Sequence, residues 1–571
     1  MQIKRLCRLC GSGAVLERLC SALESGGGQW ETEADMYLAG VVLRSTDLAA
    51  VDTRHKNFVF DRAIALIAPE VHPKTMGNAF TLLGSHPEYL ATHPATLQEA
   101  LSRILRACDS GDDKLVRNAA TALSRLTLHA PAALQMAEMA VPVFEHWSAR
   151  GGIAGPAVVG EDLSAEQHLL RALVNIVYHG TLHSNQPGSK VEQLCTHLTP
   201  IVAAAAGWLA EAGVEAATDV ARASERAASA IANLTAVAWR VSSLTDGYFD
   251  ELHQRHFQGH PLGALIVEQW SAVLGALQRL DLHNENLAAS AGLLFESLTK
   301  NPAQFDWFRS AGHDGNVGVH LRQTLALLRH LLEHQPLCPL LLRCAGSFLA
   351  SETGQGGEIA AFAVAAGLAR LQETSVTVDA HPEAAELVFS VMTKLVDAAP
   401  AQFARIDLHA LCRVLERAFA TQHKEAGTSL LDMIVKVFTL QGASTPGRAL
   451  RQHLHNSLSP IVVTGILRGA HSAMPSWMIV PLARALHAVW VCLDTPRMAI
   501  LVAEAVETVE TSSGFRGSAE AFVRDLLEDK NKKDTTKFKR LLKATGGKKK
   551  GASGTPTAGK AARVGHKYSL A

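Results

Sequence analysis

Apolar residues recur along most of this chain at the three-to-four-residue spacing of a helix face. The clearest case spans residues 114–126, where Leu115, Val116, Ala119, Ala122, Leu123 and Leu126 make one broad stripe. Just before it, Ser110-Gly111-Asp112-Asp113 is a turn whose acids suit the N-terminus of that helix. The same spacing predicts helices over 57–68, 73–83, 96–107, 323–332, 339–350, 359–371, 381–398, 402–420, 429–440 and 448–467. An ambiguous block at 14–23 ends in Gly26-Gly27-Gly28, a helix stop and joint. Pro69, Pro73 and the Ala399-Pro400 pair mark corners, and 442–446 is a short turn. The Gly-rich segments 151–160 and 352–357 read as surface loops. No strand-turn-strand pattern stands out.

Four of the helical blocks share a second feature. Segments ending near Leu126, Ile176, Leu234 and Leu294 are rich in Ala, Ser and Gly, and their alignment points lie 50, 58 and 60 residues apart. Small side chains on one side of a helix let it approach two neighbours closely, as the inner helix of a stacked pair must. The uneven period indicates degenerate repeats with loops of varying length. Twenty or more helices joined by short turns cannot keep enlarging one globular core, so the pattern predicts an all-α solenoid of irregular HEAT or armadillo type. Its expected extent is 31–545, between a poorly defined segment 1–30 and a basic, Gly- and Lys-rich disordered tail 546–571.

Composition agrees with this. Hydrophobic residues make up 48% of the 571 and aromatics only 5%, a balance that favours helix over sheet. Charge adds an asymmetry. The net charge is zero, yet from Lys530 onward there are thirteen Lys and Arg against one acid, Asp534, which leaves residues 1–529 at −12. An acidic body with a basic tail fits cationic partners, and equally fits attraction of the tail to the body or plain solubility. Nine dispersed cysteines argue against a disulfide framework and for a reducing compartment. The first twenty residues lack a secretory signal's apolar core, though their few acids leave a mitochondrial presequence open. The longest apolar run, 201–210, is far short of the ~20 residues of a membrane span.

Candidate chemistry is sparse. His330-Leu331-Leu332-Glu333-His334 spells an H-x-x-E-H zinc pattern, but it sits among Leu327, Leu328 and Pro336, where burial of that face explains it equally well. Cys7-Arg8-Leu9-Cys10 is half of a zinc or redox pair, and its nearest further ligands, Cys20 and His55, lack standard spacing. Residues 554–560 resemble a phosphate loop, but Ala561 stands where a magnesium-binding hydroxyl belongs. Asn233-Leu234-Thr235 is a glycosylation triplet inside a helix, best read as a packed position. No catalytic residue, cofactor or metal is expected. The polybasic stretch Lys537, Lys539, Arg540, Lys543, Lys548, Lys549 and Lys550 is a candidate contact surface. It has no interleaved aromatics, so specific nucleic-acid reading is not expected.

Near its end the chain carries a helix pattern at 478–486, the block Ala521-Phe522-Val523-Arg524-Asp525-Leu526-Leu527, and Lys537-Phe538-Lys539-Arg540-Leu541-Leu542-Lys543 with glycines and lysines behind it. In these residues it resembles the C-terminal portion of importin-β superfamily nuclear transport receptors, particularly the transportin-SR and exportin-like branch. The resemblance implies a HEAT superhelix in nucleus and cytoplasm that carries protein cargo, with Ran GTPase and FG-repeat nucleoporins as partners, and it transfers no site residue. The alternative is a generic HEAT or armadillo scaffold for another intracellular assembly.

Overall fold

The structure, a computed structural model, describes residues 11–25, 29–46, 51–152, 163–182, 198–242, 261–280, 284–299, 317–349, 354–373, 375–439, 445–471, 476–493 and 495–513. Among them there are 24 α-helices, two short 3₁₀ turns and no strand. The fold is an α-solenoid of stacked helical hairpins, and the chain divides into two compact units, one chiefly of residues 1–281 and one of 282–305 with 321–567.

In the first unit, Gln29–Ser45, Pro73–Gly84, Asp113–Leu128, Ala165–Leu182 and Val220–Ser242 form one continuous ladder, each packed on the next. Their hairpin partners, among them Thr53–Ala65, Pro94–Cys108 and Thr199–Glu215, lie against them. The small residues permit this spacing. A Cβ on Gly84 would stand 3.0 Å from the Ala122 backbone, and one on Gly77 would meet Asn118 at 2.9 Å. The Ser12–Ser25 helix, inside the segment expected to be poorly defined, buries Leu16, Cys20 and Leu23 and packs on Gln29–Ser45 and Thr53–Ala65.

In the second unit the ladder is Glu285–Thr299, Pro339–Phe348, Pro382–Ala398, Lys424–Thr439 and Ile479–Cys492. A companion row runs through Gly354–Leu371, Leu408–Ala418, Thr445–His471 and Thr495–Ser513. The ladder helices bury large aromatics, among them Phe295, Phe348, Phe389, Phe438 and Trp490.

Local chemistry sets the helix boundaries. Asp112 accepts from the N–H groups of Lys114 and Leu115 at 2.9 and 3.1 Å, the cap the turn predicted. Ser164 and Gln167 cap Ala165–Leu182 reciprocally: the Gln167 amide oxygen accepts from Ser164 N at 2.8 Å and Ser164 Oγ accepts from Gln167 N at 3.2 Å. Proline opens Pro73–Gly84, Pro94–Cys108, Pro339–Phe348 and Pro382–Ala398, where its missing N–H costs nothing.

Two expectations are corrected. Residues 354–357, expected in a loop, open the Gly354–Leu371 helix, with Gly357 buried. A Cβ there would lie 2.9 Å from that of Ala399, so the glycine admits the following corner. The single helix expected over 402–420 is two, Pro400–Phe403 and Leu408–Ala418. The break falls where Asp407 accepts from His409 N at 2.8 Å and starts a new helix.

Candidate protein-binding groove

A groove of about 1000 Å³ opens in the second unit where four stretches of chain converge. The starts of Glu285–Thr299 and Pro382–Ala398 supply Glu285 and Glu383, acids in a first helical turn that complement its positive dipole end. Phe362, Ala366 and Ala369, at three-to-four-residue spacing on Gly354–Leu371, make an apolar wall. The corner Gln335–Cys338 closes one side, and Glu333 and His334 stand at its edge.

Carboxylates dominate the rim, and most are held in place by a cation. Arg343 reaches Glu383 at 3.3 Å and the buried Glu296 at 3.8 Å. Arg370 pairs with Glu373, and Arg329 with Glu333 at 3.6 Å. The Arg329 guanidinium also lies 4.5 Å over the Phe362 ring. Phe362 is shared with a second cavity of about 260 Å³, lined by Arg322, Leu325, Arg329 and Glu358. The two cavities follow one apolar wall, basic toward Arg322 and acidic toward Glu285 and Glu383. Cys338 stands at the N-cap of Pro339–Phe348, with no hydrogen bond from its side chain to the helix N-terminus. Burial pushes its thiol pKa up, so the group stays protonated and unreactive at neutral pH. The lining thus combines an apolar wall with a rim of carboxylates that arginines largely compensate.

The structure resolves several sequence candidates. His330 and Glu333 face solvent 3.6 Å apart, the His330 and His334 rings meet edge-on at 4.6 Å, and the buried face belongs to Leu327, Leu328 and Leu331. The pattern is therefore not a buried face. Among the described residues no group of three or more His, Cys, Asp or Glu could hold a metal ion. Cys7 and Cys10 lie outside the described residues. Cys20 and His55 do meet, but through the His55 carbonyl, to which the thiol donates at 3.9 Å. Burial, with Glu24 and Glu17 nearby, raises the Cys20 pKa to about 11. Asn233 and Thr235 are buried and bond back to Ser229 O at 2.9 Å and Ile231 O at 2.7 Å, as a packed helix position should. The phosphate-loop segment, the helical blocks after 513 and the polybasic Lys537, Lys539, Arg540, Lys543, Lys548, Lys549 and Lys550 lie outside the described residues. Sequence reasoning missed the groove itself. Its acids sit up to 98 positions apart, from Glu285 to Glu383, and the only local signals are prolines that mark its corners.

No described helix is long and apolar enough to cross a membrane. No protein-family model and no curated protein matches the chain. Among solved structures, the chain is similar to importin 13 in its cytosolic state, at 12% identity and a TM-score of 0.57, over 93% of this chain and 57% of that one. Yeast importin-β, Kap95p, matches at 12% identity over 95% of this chain and 64% of that one, with a TM-score of 0.40 that carries no weight. The chain thus spans 57% of the length of the importin 13 it matches, and at this identity the likeness establishes the solenoid fold.

Proposed function

We propose that this chain is a non-enzymatic, protein-binding solenoid of the karyopherin kind, carrying protein cargo between nucleus and cytoplasm. The observation that carries this reading is the hairpin stack, which follows the importin 13 fold over 93% of the chain at a TM-score of 0.57. A body of −12 over residues 1–529 suits basic cargo, and the carboxylate-rimmed groove suits a peptide segment with an apolar face. In this reading Ran and FG-repeat nucleoporins are the partners, and the stack of 31–545 ends in the basic tail 546–571. The transportin-SR and exportin-like branch is the resemblance at the C-terminal residues.

The experiment is a pull-down with Ran locked in its GTP form and with FG-repeat peptides. Binding of either supports transport. Silence from both sinks it and leaves a generic scaffold. The polybasic residues are tested separately: deletion of 530–571 should weaken binding to anionic surfaces and flatten its salt dependence. Unchanged binding would reduce the tail to a solubilising segment.

A further inference from the structure

At the start of the first unit, rungs of the ladder alternate along the chain with their hairpin partners. Ser12–Ser25 packs on Gln29–Ser45 and on Thr53–Ala65, which puts it among the partners. In that alternation residues 1–10 take the place of a rung preceding Gln29–Ser45. Gly11 follows them with a φ of 81°, the left-handed conformation in which helices commonly end. Its carbonyl accepts from Val15 N at 3.3 Å and so opens Ser12–Ser25.

Gln29–Ser45 has a side open to such a rung. Glu33 and Gly40 mark the side turned to the next rung, Pro73–Gly84: Asn78 Nδ2 donates to Glu33 O at 3.1 Å, and a Cβ on Gly40 would stand 3.8 Å from Leu82. Ala34, Leu38 and Val41 lie roughly 90–150° round the helix from that side, at about 100° per residue. Ala34 is exposed and Leu38 and Val41 are half-buried, so this apolar stripe is left partly open. Glu31 and Asp35 flank it. Burial, with Glu31 nearby, raises the Asp35 pKa, a shift that a neighbouring cation would relieve.

We propose that residues 1–10 dock as a helix on Ala34, Leu38 and Val41, forming the rung before Gln29–Ser45. Ile3, Leu6, Cys7 and Cys10 recur at i, i+3, i+4 and i+7, one apolar helix face. Lys4, Arg5 and Arg8 fall on the other faces, and no acid stands in the segment, so its charge complements Glu31 and Asp35. A helix of that length spans about 15 Å, enough to cover a stripe about 10 Å long. Cys7 and Cys10 then serve as small apolar packing residues, not as half of a zinc or redox pair.

The test is the rate of iodoacetamide alkylation at Cys7 and Cys10, read by mass spectrometry on the full chain. Both thiols should react more slowly in the native chain than in urea. Leu6→Glu, in the segment, and Leu38→Glu, on the stripe, should each speed both thiols about tenfold, the scale on which one buried leucine shifts such an equilibrium. Cys108, buried in the same unit, should keep its rate, which separates release of the segment from unfolding. If Leu38→Glu speeds Cys108 as well, Leu6→Glu alone decides. Native alkylation as fast as in urea overturns the proposal, and so do unchanged rates in Leu6→Glu. Zinc released on alkylation, read by a colorimetric chelator, also overturns it by making the pair a ligand set. So does a dimer in light scattering that Leu38→Glu splits without changing the thiol rates, for the stripe would then belong to a second copy.

Discussion

Asn175 donates through Nδ2 to Thr127 Oγ1 at 3.2 Å, tying the two most closely stacked helices of the first unit together from inside. Thr127 in turn donates to Ser124 O at 2.9 Å, so all three polar groups share one buried node. Asn175→Ala removes the tie and leaves a small cavity. We expect a loss of about 1–3 kcal/mol, the cost of an unmet buried polar contact. A urea midpoint shift at unchanged slope is the measurement. No shift would show that the small-residue packing alone holds these helices together.

This pairing was partly legible. Leu126 and Ile176 align 50 residues apart, and the structure places their helices together in that register. The stripes and the Asp112 cap were legible because they are local. The groove was not, because Glu285, Phe362 and Glu383 come together only once repeats of uneven length have stacked. The helix start at 354–357 was missed for another reason. Glycine lowers helix propensity by about 1 kcal/mol per residue, so a Gly-rich stretch reads as a loop until Ala399 is seen against Gly357.

Two helical glycines should answer the same substitution with opposite signs. On Gly465, a Cβ would fall 2.2 Å from the Phe419 ring, so Gly465→Ala overpacks the second unit and should cost about 1–3 kcal/mol. In a Phe419→Ala background the cost of Gly465→Ala should shrink, and a double-mutant cycle measures that coupling. Gly207, in Thr199–Glu215, has nothing within 4 Å of a new Cβ. There Gly207→Ala should stabilise by about 0.5–1 kcal/mol through propensity alone. Equal effects at the two sites would contradict the packing.

Acid should loosen the first unit through three histidines that are buried wholly, as His86 is, or in part, as His129 and His168 are. Burial lowers the pKa of His86 against the opposing pull of Glu88, that of His129, and that of His168, which reaches about 3. The unfolded chain binds these protons near pH 6.5 and the folded chain does not, so stability is complete above that pH and falls as the pH drops toward the folded values. For His168 the window runs from about 6.5 down to about 3, with a slope of at most about 1.4 kcal/mol per pH unit. Urea midpoints at pH 7 and pH 5 should differ, and His168→Gln should narrow the difference. An identical pH dependence in that variant would remove His168 from the account.

Arg417 predicts a longer-range effect. Its guanidinium donates to the Leu371, Gln372 and Glu373 carbonyls at 3.3, 3.1 and 2.8 Å, and a fourth bond goes to Val376 O. Those carbonyls end the Gly354–Leu371 helix and begin its exit loop, so a residue on Leu408–Ala418 caps a helix of the preceding hairpin. Asp379 adds a second tie by accepting from Thr421 Oγ1 and from Gln422 N at 3.2 Å. A lysine cannot serve four divergent carbonyls from one point charge, so Arg417→Lys should fall close to Arg417→Ala. Both should lose about 1.5–3 kcal/mol, the scale of a charged hydrogen-bond set. Hydrogen exchange should show faster opening at the end of Gly354–Leu371, beside the groove wall of Phe362, Ala366 and Ala369, while Gly207→Ala leaves exchange there untouched. If Arg417→Lys keeps wild-type protection, one charge suffices and the multiple cap is not what holds the helix end.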